Sequence, residues 1–266
     1  MWTLKQTSHQ LLQLEKKAYR ATLPAPLDGM WDTALIPQAN HWAILATDET
    51  VGYFCINDDR LLLQFYITAD YLKWGQPIMA QIVAEGMAIG AFVNTHESTY
   101  LSLCIDHQKS VAIHSYLFQD FGPSQLAGQS IPDAHLTLAT TPELEAIITF
   151  VYQQTEGDKQ WLRTYLDDLI HKQQLYLLKL NDAIIGTGEW RLSPTQPPYV
   201  DVGMIVDRNH RNQGWATFIL TQLKQVCYQQ NLRPICSTNV DNIASRKAIE
   251  KAGFVTNNRL LHILFV

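Results

Sequence analysis

The sequence predicts an α/β protein made of two similar units in tandem. Three observations carry that prediction. A stretch at 121–132 holds two Gly, two Pro and two Ser without helical or strand periodicity, and it divides the 266 residues almost in half. In the second half, strand-like and helix-like segments alternate. The first half can be followed through a matching order of three strands, helix, strand, helix, as an internal duplication would leave.

In the first half, residues 42–47, 51–57 and 61–68 are apolar-rich runs separated by short polar turns, three successive strands. Residues 76–87 read as a helix, 99–105 as a strand and 110–119 as a second helix. The expected boundaries are 1–122 for the first unit, 123–133 for a linker and 134–266 for the second unit.

The second half reads more sharply. Residues 135–139 alternate as a short strand, and Thr141 followed by Pro142 heads a helix. Residues 158–172 have helical spacing through Trp161, Tyr165 and Leu169. Apolar runs at 175–180 and 183–192 flank Asn181 and Asp182, giving strand, tight turn, strand. Pro194 to Pro198 turn the chain into a strand at 199–206. Trp215, Phe218, Ile219, Leu223, Val226 and Cys227 recur at three- and four-residue spacing behind Gly214, an amphipathic helix. A strand at 233–240, a helix at 242–252 ended by Gly253, and a closing strand at 259–266 complete the order.

Composition narrows the function classes. The chain is 47% hydrophobic and 17% charged, values of a soluble globular protein. No apolar run approaches the ~20 residues of a spanning helix, and residues 1–17 are too polar for a signal peptide, so a cytoplasmic protein without a membrane partner is expected. Net charge is −5 with no basic run, which argues against nucleic acid. Cys55, Cys104, Cys227 and Cys236 show no zinc-ligand spacing, so no metal is expected.

The stretch that carries chemistry runs from Ile205 to Thr217. It follows a strand and opens a helix, whose first N–H groups and positive dipole end suit phosphate oxygens. Gly214 lets the backbone approach a pyrophosphate, and Ala216 keeps the next turn uncrowded. Alone, the same pattern also fits a plain strand-to-helix connection.

Arg211-x-x-Gly214-x-Ala216 resembles the Arg/Gln-x-x-Gly-x-Gly/Ala signature of the GNAT N-acetyltransferases. Downstream, Asn242, Ser245, Glu250, Lys251, Gly253 and Phe254 resemble the family's Asn-x-x-Ser…Glu-Lys-x-Gly-Phe helix, and Asp201-Val-Gly203 resembles its acidic-x-Gly strand entry. The wording around Gly214 and Ser245 is most similar to the branch that acetylates ribosomal-protein N-termini. The resemblance covers about 130 residues and implies two tandem GNAT-like units, each a mixed, mostly antiparallel sheet flanked by helices.

It further implies acetyl-CoA as co-substrate and direct attack by an amine of a small molecule or peptide. The backbones of Met204 and Val206 would hold the pantetheine arm. The N–H groups of Asn212, Gln213, Gly214, Trp215, Ala216 and Thr217 would hold the pyrophosphate, with Arg211 adding charge. Asn242 would bond the pantetheine side as well as cap its helix, and Ser245 would cap or contact it. A carboxylate near these strands would serve as base, as is usual in the family: Asp201 matches the acidic position, and Glu189 on the preceding strand is the alternative, though either also fits a solvated strand residue or a salt-bridge partner. The tyrosine that many relatives use as acid is replaced here by Ile249, a departure that would also suit a non-catalytic acyl-CoA sensor. In the first half Gly75 takes the place of Gly214, with Leu72 for Arg211, Pro77 for Ala216, and no matching Asn. That half is expected to have lost its acetyl-CoA site.

Overall fold

The computed structural model describes residues 1–122 and 135–266, so the expected linker lies outside the described residues. In chain order the first elements are β1 (Trp2–Thr7), α1 (Gln13–Thr22), a short turn α2 (Ile36–Gln38), β2 (Asn40–Ala46), β3 (Glu49–Ile56) and β4 (Leu61–Ile67). Then follow α3 (Gly75–Ala84), β5 (Gly90–Asn94), α4 (Ser98–Ile105) and β6 (Gln108–Gln119). The later residues form β7 (Leu136–Leu138), α5 (Leu144–Thr155), α6 (Lys159–His171), β8 (Leu175–Leu180), β9 (Ala183–Leu192) and β10 (Tyr199–Val206). They end with α7 (Trp215–Gln229), β11 (Arg233–Asn239), α8 (Ile243–Lys251) and β12 (Val255–Phe265). No helix among the described residues is long and apolar enough to cross a membrane.

The chain forms two compact units that are not consecutive halves. One comprises Met1–Leu117, Pro194–Gln196 and Asn257–Val266; the other comprises Phe118–Ser193 and Pro197–Thr256. The sequence places the closing strand with the second unit, and the structure places Asn257–Val266 in the first. Burial explains the choice: Ile263 and Phe265 join the core of Ile44, Phe54, Leu62, Ile78 and Val93. β12 runs antiparallel to β5 with Ile263 opposite Ala91. Residue 90 must be glycine for that approach, because a Cβ there would stand 2.5 Å from the Ile263 carbonyl oxygen.

In the first unit the strands follow the order β1-β2-β3-β4-β5-β12-β6. The three strands β2 to β4 and the helix α3 stand where the sequence predicts them. Two assignments need correction. Residues 99–105, read as a strand, lie in α4, and 110–119, read as a helix, lie in β6. Thr, Tyr and Ile gave 99–105 the composition of a strand, but Tyr100, Leu103 and Cys104 are buried at helical spacing and packing decides. The strand between the helices is β5, five residues too short to announce itself.

In the second unit the order is β11-β10-β9-β8-β7, with β10–β11 parallel and the remaining neighbours antiparallel. Local chemistry sets each boundary. Thr140 and Glu143 form a capping box before α5, and the Asp158 carboxylate accepts the Trp161 N–H at the head of α6. Asn181 and Asp182 adopt φ of 47° and 64°, the left-handed pair a two-residue hairpin needs. Helices α5 and α6 bury Ile147, Phe150, Leu162, Leu166 and Leu169 against Leu175 and Leu177. Gly186 and Gly188 of β9 admit α7, whose Ile219 would stand 2.9 and 2.7 Å from a Cβ at those positions. Strand alternation therefore turns Glu189 away from α7.

Candidate functional site

β10 and β11 pair in parallel through Tyr199–Arg233, Val200–Pro234 and Asp201–Ile235. On its other side β10 stays paired with β9 up to Val206–Gly186. A cavity of about 250 Å³ opens along β10, lined by Asp201, Gly203 and Met204, by Glu189 and Arg191 of β9, and by Cys236, Ser237 and Thr238 of β11. Asn242, Ser245 and Ile249, on one face of α8, line it too. The structure thus brings Asp201, Glu189, Met204, Asn242 and Ser245 to one cavity, while Val206 is buried at the end of β10.

The two carboxylates differ in their partners. Asp201 is 5% exposed, and its Oδ2 accepts an N–H of Arg191 at 2.8 Å. Glu189 lies 3.6 Å from the Arg191 guanidinium, and its Oε2 accepts the Tyr165 hydroxyl at 2.5 Å. Arg191 also donates to the Tyr165 oxygen at 2.9 Å. Burial, and then the neighbouring Glu189 charge, push the Tyr165 hydroxyl far above its ordinary pKa, so it stays protonated and donates. A Cβ on Gly203 would stand 2.6 Å from Glu189 Oε1, so the glycine two residues after Asp201 makes room for the other carboxylate. Sequence reasoning missed Arg191 and Tyr165. The signal for Arg191 was its i+2 spacing from Glu189, which puts both on one strand face; Tyr165 offered none beyond its core-like position in α6.

The loop before α7 has the bent backbone expected of it. Asp207 accepts the Asn209 N–H at 2.9 Å and bonds His210 Nδ1 at 3.0 Å, closing a short helical turn. His210 is thereby committed to Asp207, whose pKa it lowers by that hydrogen bond. Arg211 donates from Nε to the Val206 carbonyl at 3.3 Å, so its charge sits at the end of β10. Asn212 and Gly214 take φ of 61° and 90°. Gly214 is the N-cap of α7, carries no side-chain cap, and has open space where a Cβ would stand. A helix start left open in this way fits an anionic ligand such as a pyrophosphate. Gln213 accepts the Trp215 indole N–H at 3.3 Å, and Thr217 bonds the Ala248 carbonyl at 3.3 Å, tying α7 to α8.

Asn242 is the N-cap of α8, its Oδ1 accepting the Ser245 N–H at 3.1 Å, while both side chains border the cavity. Ile249 faces the cavity one turn further on and offers no proton. Among the described residues no group of three or more His, Cys, Asp or Glu is placed to hold a metal ion.

Comparison with known proteins shows the family and the fold. Residues 8–121 match the model of an acetyltransferase (GNAT) domain, and residues 141–254 match that of the acetyltransferase (GNAT) family. A solved acetyltransferase from the GNAT family of Colwellia psychrerythraea is 32% identical, with a TM-score of 0.95 over 99% of this chain and 100% of that one. A GCN5-related N-acetyltransferase from Sphaerobacter thermophilus shares the fold at 13% identity and a TM-score of 0.66, covering 98% of this chain and 94% of that one. So does a tandem GNAT protein from the clavulanic acid biosynthesis pathway, at 10% identity, a TM-score of 0.65, and coverage of 98% and 97%. No curated protein matches.

Proposed function

The chain belongs to the GNAT acetyltransferase family, and from that premise we propose that its second unit acetylates a primary amine with acetyl-CoA by direct attack. The acceptor is an amine of a small molecule or peptide. The observation that carries the reading is the cavity along β10, with two carboxylates in one wall and the cap of α8 in another.

Acetyl-CoA would supply the acetyl group as a thioester. The open start of α7 and Arg211 would hold its pyrophosphate, the β10 backbone at Met204 and Val206 its pantetheine arm, and Asn242 and Ser245 the same arm from α8. The acceptor enters as an ammonium and must lose a proton before its nitrogen forms the C–N bond. Cleavage of the C–S bond then releases the thiol. Both carboxylates lie against Arg191, Asp201 at 2.8 Å and Glu189 at 3.6 Å, so the cation holds Asp201 more firmly and Glu189 is the better base. Asp201 then orients Arg191, which steadies Tyr165 and through it Glu189. The thiol proton donor is not Ile249, and the hydroxyls of Ser237, Thr238 and Ser245 border the same space.

The test is thiol release from acetyl-CoA with a panel of amines, including peptides with ribosomal-protein N-termini. A sensor would bind acetyl-CoA and release no thiol with any of them. Glu189→Gln should keep acetyl-CoA affinity and reduce turnover by ~10²–10⁴, the range for loss of a general base. If Asp201→Asn does this and Glu189→Gln does not, the two roles are exchanged.

A further inference from the structure

α6 carries a feature that neither the sheet nor the acetyl-CoA loop accounts for. Trp161 is 52% exposed, although tryptophan is among the side chains that gain most from burial. Its ring stacks on Tyr165, one turn further along the helix, with centroids 4.8 Å apart and planes 13° from parallel. Tyr165 in turn donates to Glu189 at 2.5 Å, and Glu189 lines the cavity. An unbroken series of contacts therefore runs from an exposed indole, through a phenol ring, to the carboxylate assigned as base.

The backbone beneath the indole is also held in place. The Asp158 carboxylate accepts the Trp161 backbone N–H at 2.7 Å and fixes the first turn of α6. Tyr165 is fixed at its hydroxyl by Glu189 and Arg191. A flat apolar surface that is already ordered loses little entropy when a second ring settles on it. The charge of the neighbouring wall favours a cation: Glu189 and Asp201 supply two negative charges and Arg191 one positive.

We propose that the acceptor is an arylalkylamine-type cation, an aromatic ring joined to a primary ammonium, with the ring seated on the Trp161–Tyr165 stack and the nitrogen at Glu189. This deepens the acetyltransferase reading and rests on it. The alternative is an i,i+4 aromatic pair that merely stabilises α6. It predicts no preference among acceptors.

The experiment compares acceptors of similar length, tryptamine and phenethylamine against hexylamine and 1,6-diaminohexane, in the full chain. The wild type should acetylate the aromatic amines with kcat/KM at least ~10-fold above the aliphatic ones, the scale of one aromatic stacking contact. Trp161→Ala should raise KM about tenfold for the aromatic amines, leave kcat within about twofold, and leave the aliphatic amines unchanged. Trp161→Phe should restore most of the loss. Binding of tryptamine by calorimetry without acetyl-CoA gives a readout independent of turnover and should weaken in parallel. Equal use of aromatic and aliphatic amines, or an equal effect of Trp161→Ala on both, would overturn the platform while leaving the acetyltransferase reading intact. Thiol release with no amine at all would instead remove that reading, and calorimetry would still report whether the ring binds.

Discussion

In each unit a strand ends on an asparagine and a helix is capped three residues later, and the two caps have opposite fates. β11 ends at Asn239 and Asn242 caps α8; β5 ends at Asn94 and Glu97 stands at the cap of α4. Asn242 borders an open cavity. Glu97 is 3% exposed: its carboxyl group bonds the Tyr19 hydroxyl of α1, and it accepts the Asn94 N–H at 2.5 Å and the Asn94 amide at 2.7 Å. The turns ahead of the preceding helices differ in the same sense. α7 starts from Gly214 at φ 90°, whereas α3 starts at Gly75 in ordinary right-handed geometry, directly behind a 3-10 turn at Ala69–Trp74. In one unit the capping residue borders a cavity and the helix starts behind a left-handed glycine; in the other the capping residue is buried and the helix starts in right-handed geometry. On this contrast we propose that the first unit has lost its acetyl-CoA site.

The sharpest way to break this comparison is to end the chain at Thr256. The second unit contains none of the removed residues, whereas the first loses Leu260, Ile263 and Phe265 from its interior. The shortened chain should lose the unfolding transition of the first unit in calorimetry, and limited proteolysis should digest residues 1–117 first. A graded version is Ile263→Ala, which at a fully buried site should cost ~2–5 kcal/mol. Independent folding of residues 1–122 with unchanged stability would contradict the assignment of β12.

Each unit also buries a lysine, and the two are held differently. Lys224 is paired with Asp120 at 3.0 Å and donates to the Ala252 carbonyl at 2.9 Å. Lys16 is held by Gln64 Oε1 at 3.3 Å and lies 4.6 Å from the centre of the Tyr53 ring. Burial lowers the Lys16 pKa to about 8. Lys224→Met leaves a buried carboxylate without its cation and should cost ~3–5 kcal/mol by urea unfolding. Lys16→Met removes a buried ammonium that has no carboxylate partner within ion-pair distance among the described residues and should change stability by less than about 1 kcal/mol. Equal losses would mean that the two lysines do the same work.

The third prediction concerns the loop. Gly214→Glu places a side chain in left-handed backbone and a negative charge at the open helix start. Acetyl-CoA affinity by calorimetry should fall by ~10–100-fold, the worth of one charge-assisted hydrogen bond, with circular dichroism unchanged. The unaltered chain should bind one acetyl-CoA. Two would show that the first unit also binds, and would undo the contrast drawn from Glu97 and Gly75.

The second unit was legible in the sequence because its signals are local. Asn181 and Asp182 fix a hairpin, Asp158 caps α6, and Gly214 marks a bent turn, all readable from neighbours. The first unit was legible from β2 through α3 and then misread, because α4 and β6 are decided by what they pack against. The swap of β12 could not be read at all, since residues 259–266 look like a strand in either unit. The site divides in the same way. Asp201, Glu189 and Gly214 stand in recognisable patterns, but the ion pair that distinguishes the carboxylates depends on Arg191, and the hydroxyl that steadies Glu189 comes from a helix 24 residues upstream.

The smallest effect is also the most specific, and it reads the buried capping residue directly. Burial raises the Glu97 carboxyl from 4.5 to about 8, with the Asn94 N–H pulling the other way. A raised carboxyl pKa means that the folded state holds its proton more tightly than the unfolded chain. The stability this contributes is fully present below pH 4.5 and is lost as pH rises through 8. Lys16 works in the opposite direction: its lowered pKa contributes stability that is full above pH 10.5 and is lost as pH falls to about 8. The first unit should therefore be least stable, with respect to these two groups, near pH 8. His41 and His96, both lowered to about 4 by burial, add a separate loss between pH 6.5 and 4. The difference between wild type and Glu97→Gln cancels the lysine and histidine contributions and isolates the carboxyl. Urea midpoints of the first unit should show wild type losing roughly 2 kcal/mol relative to Glu97→Gln between pH 6 and 8. If the two curves run parallel over that range, Glu97 is ionised in the folded protein, and Tyr19 and Asn94 solvate a charge rather than share a proton.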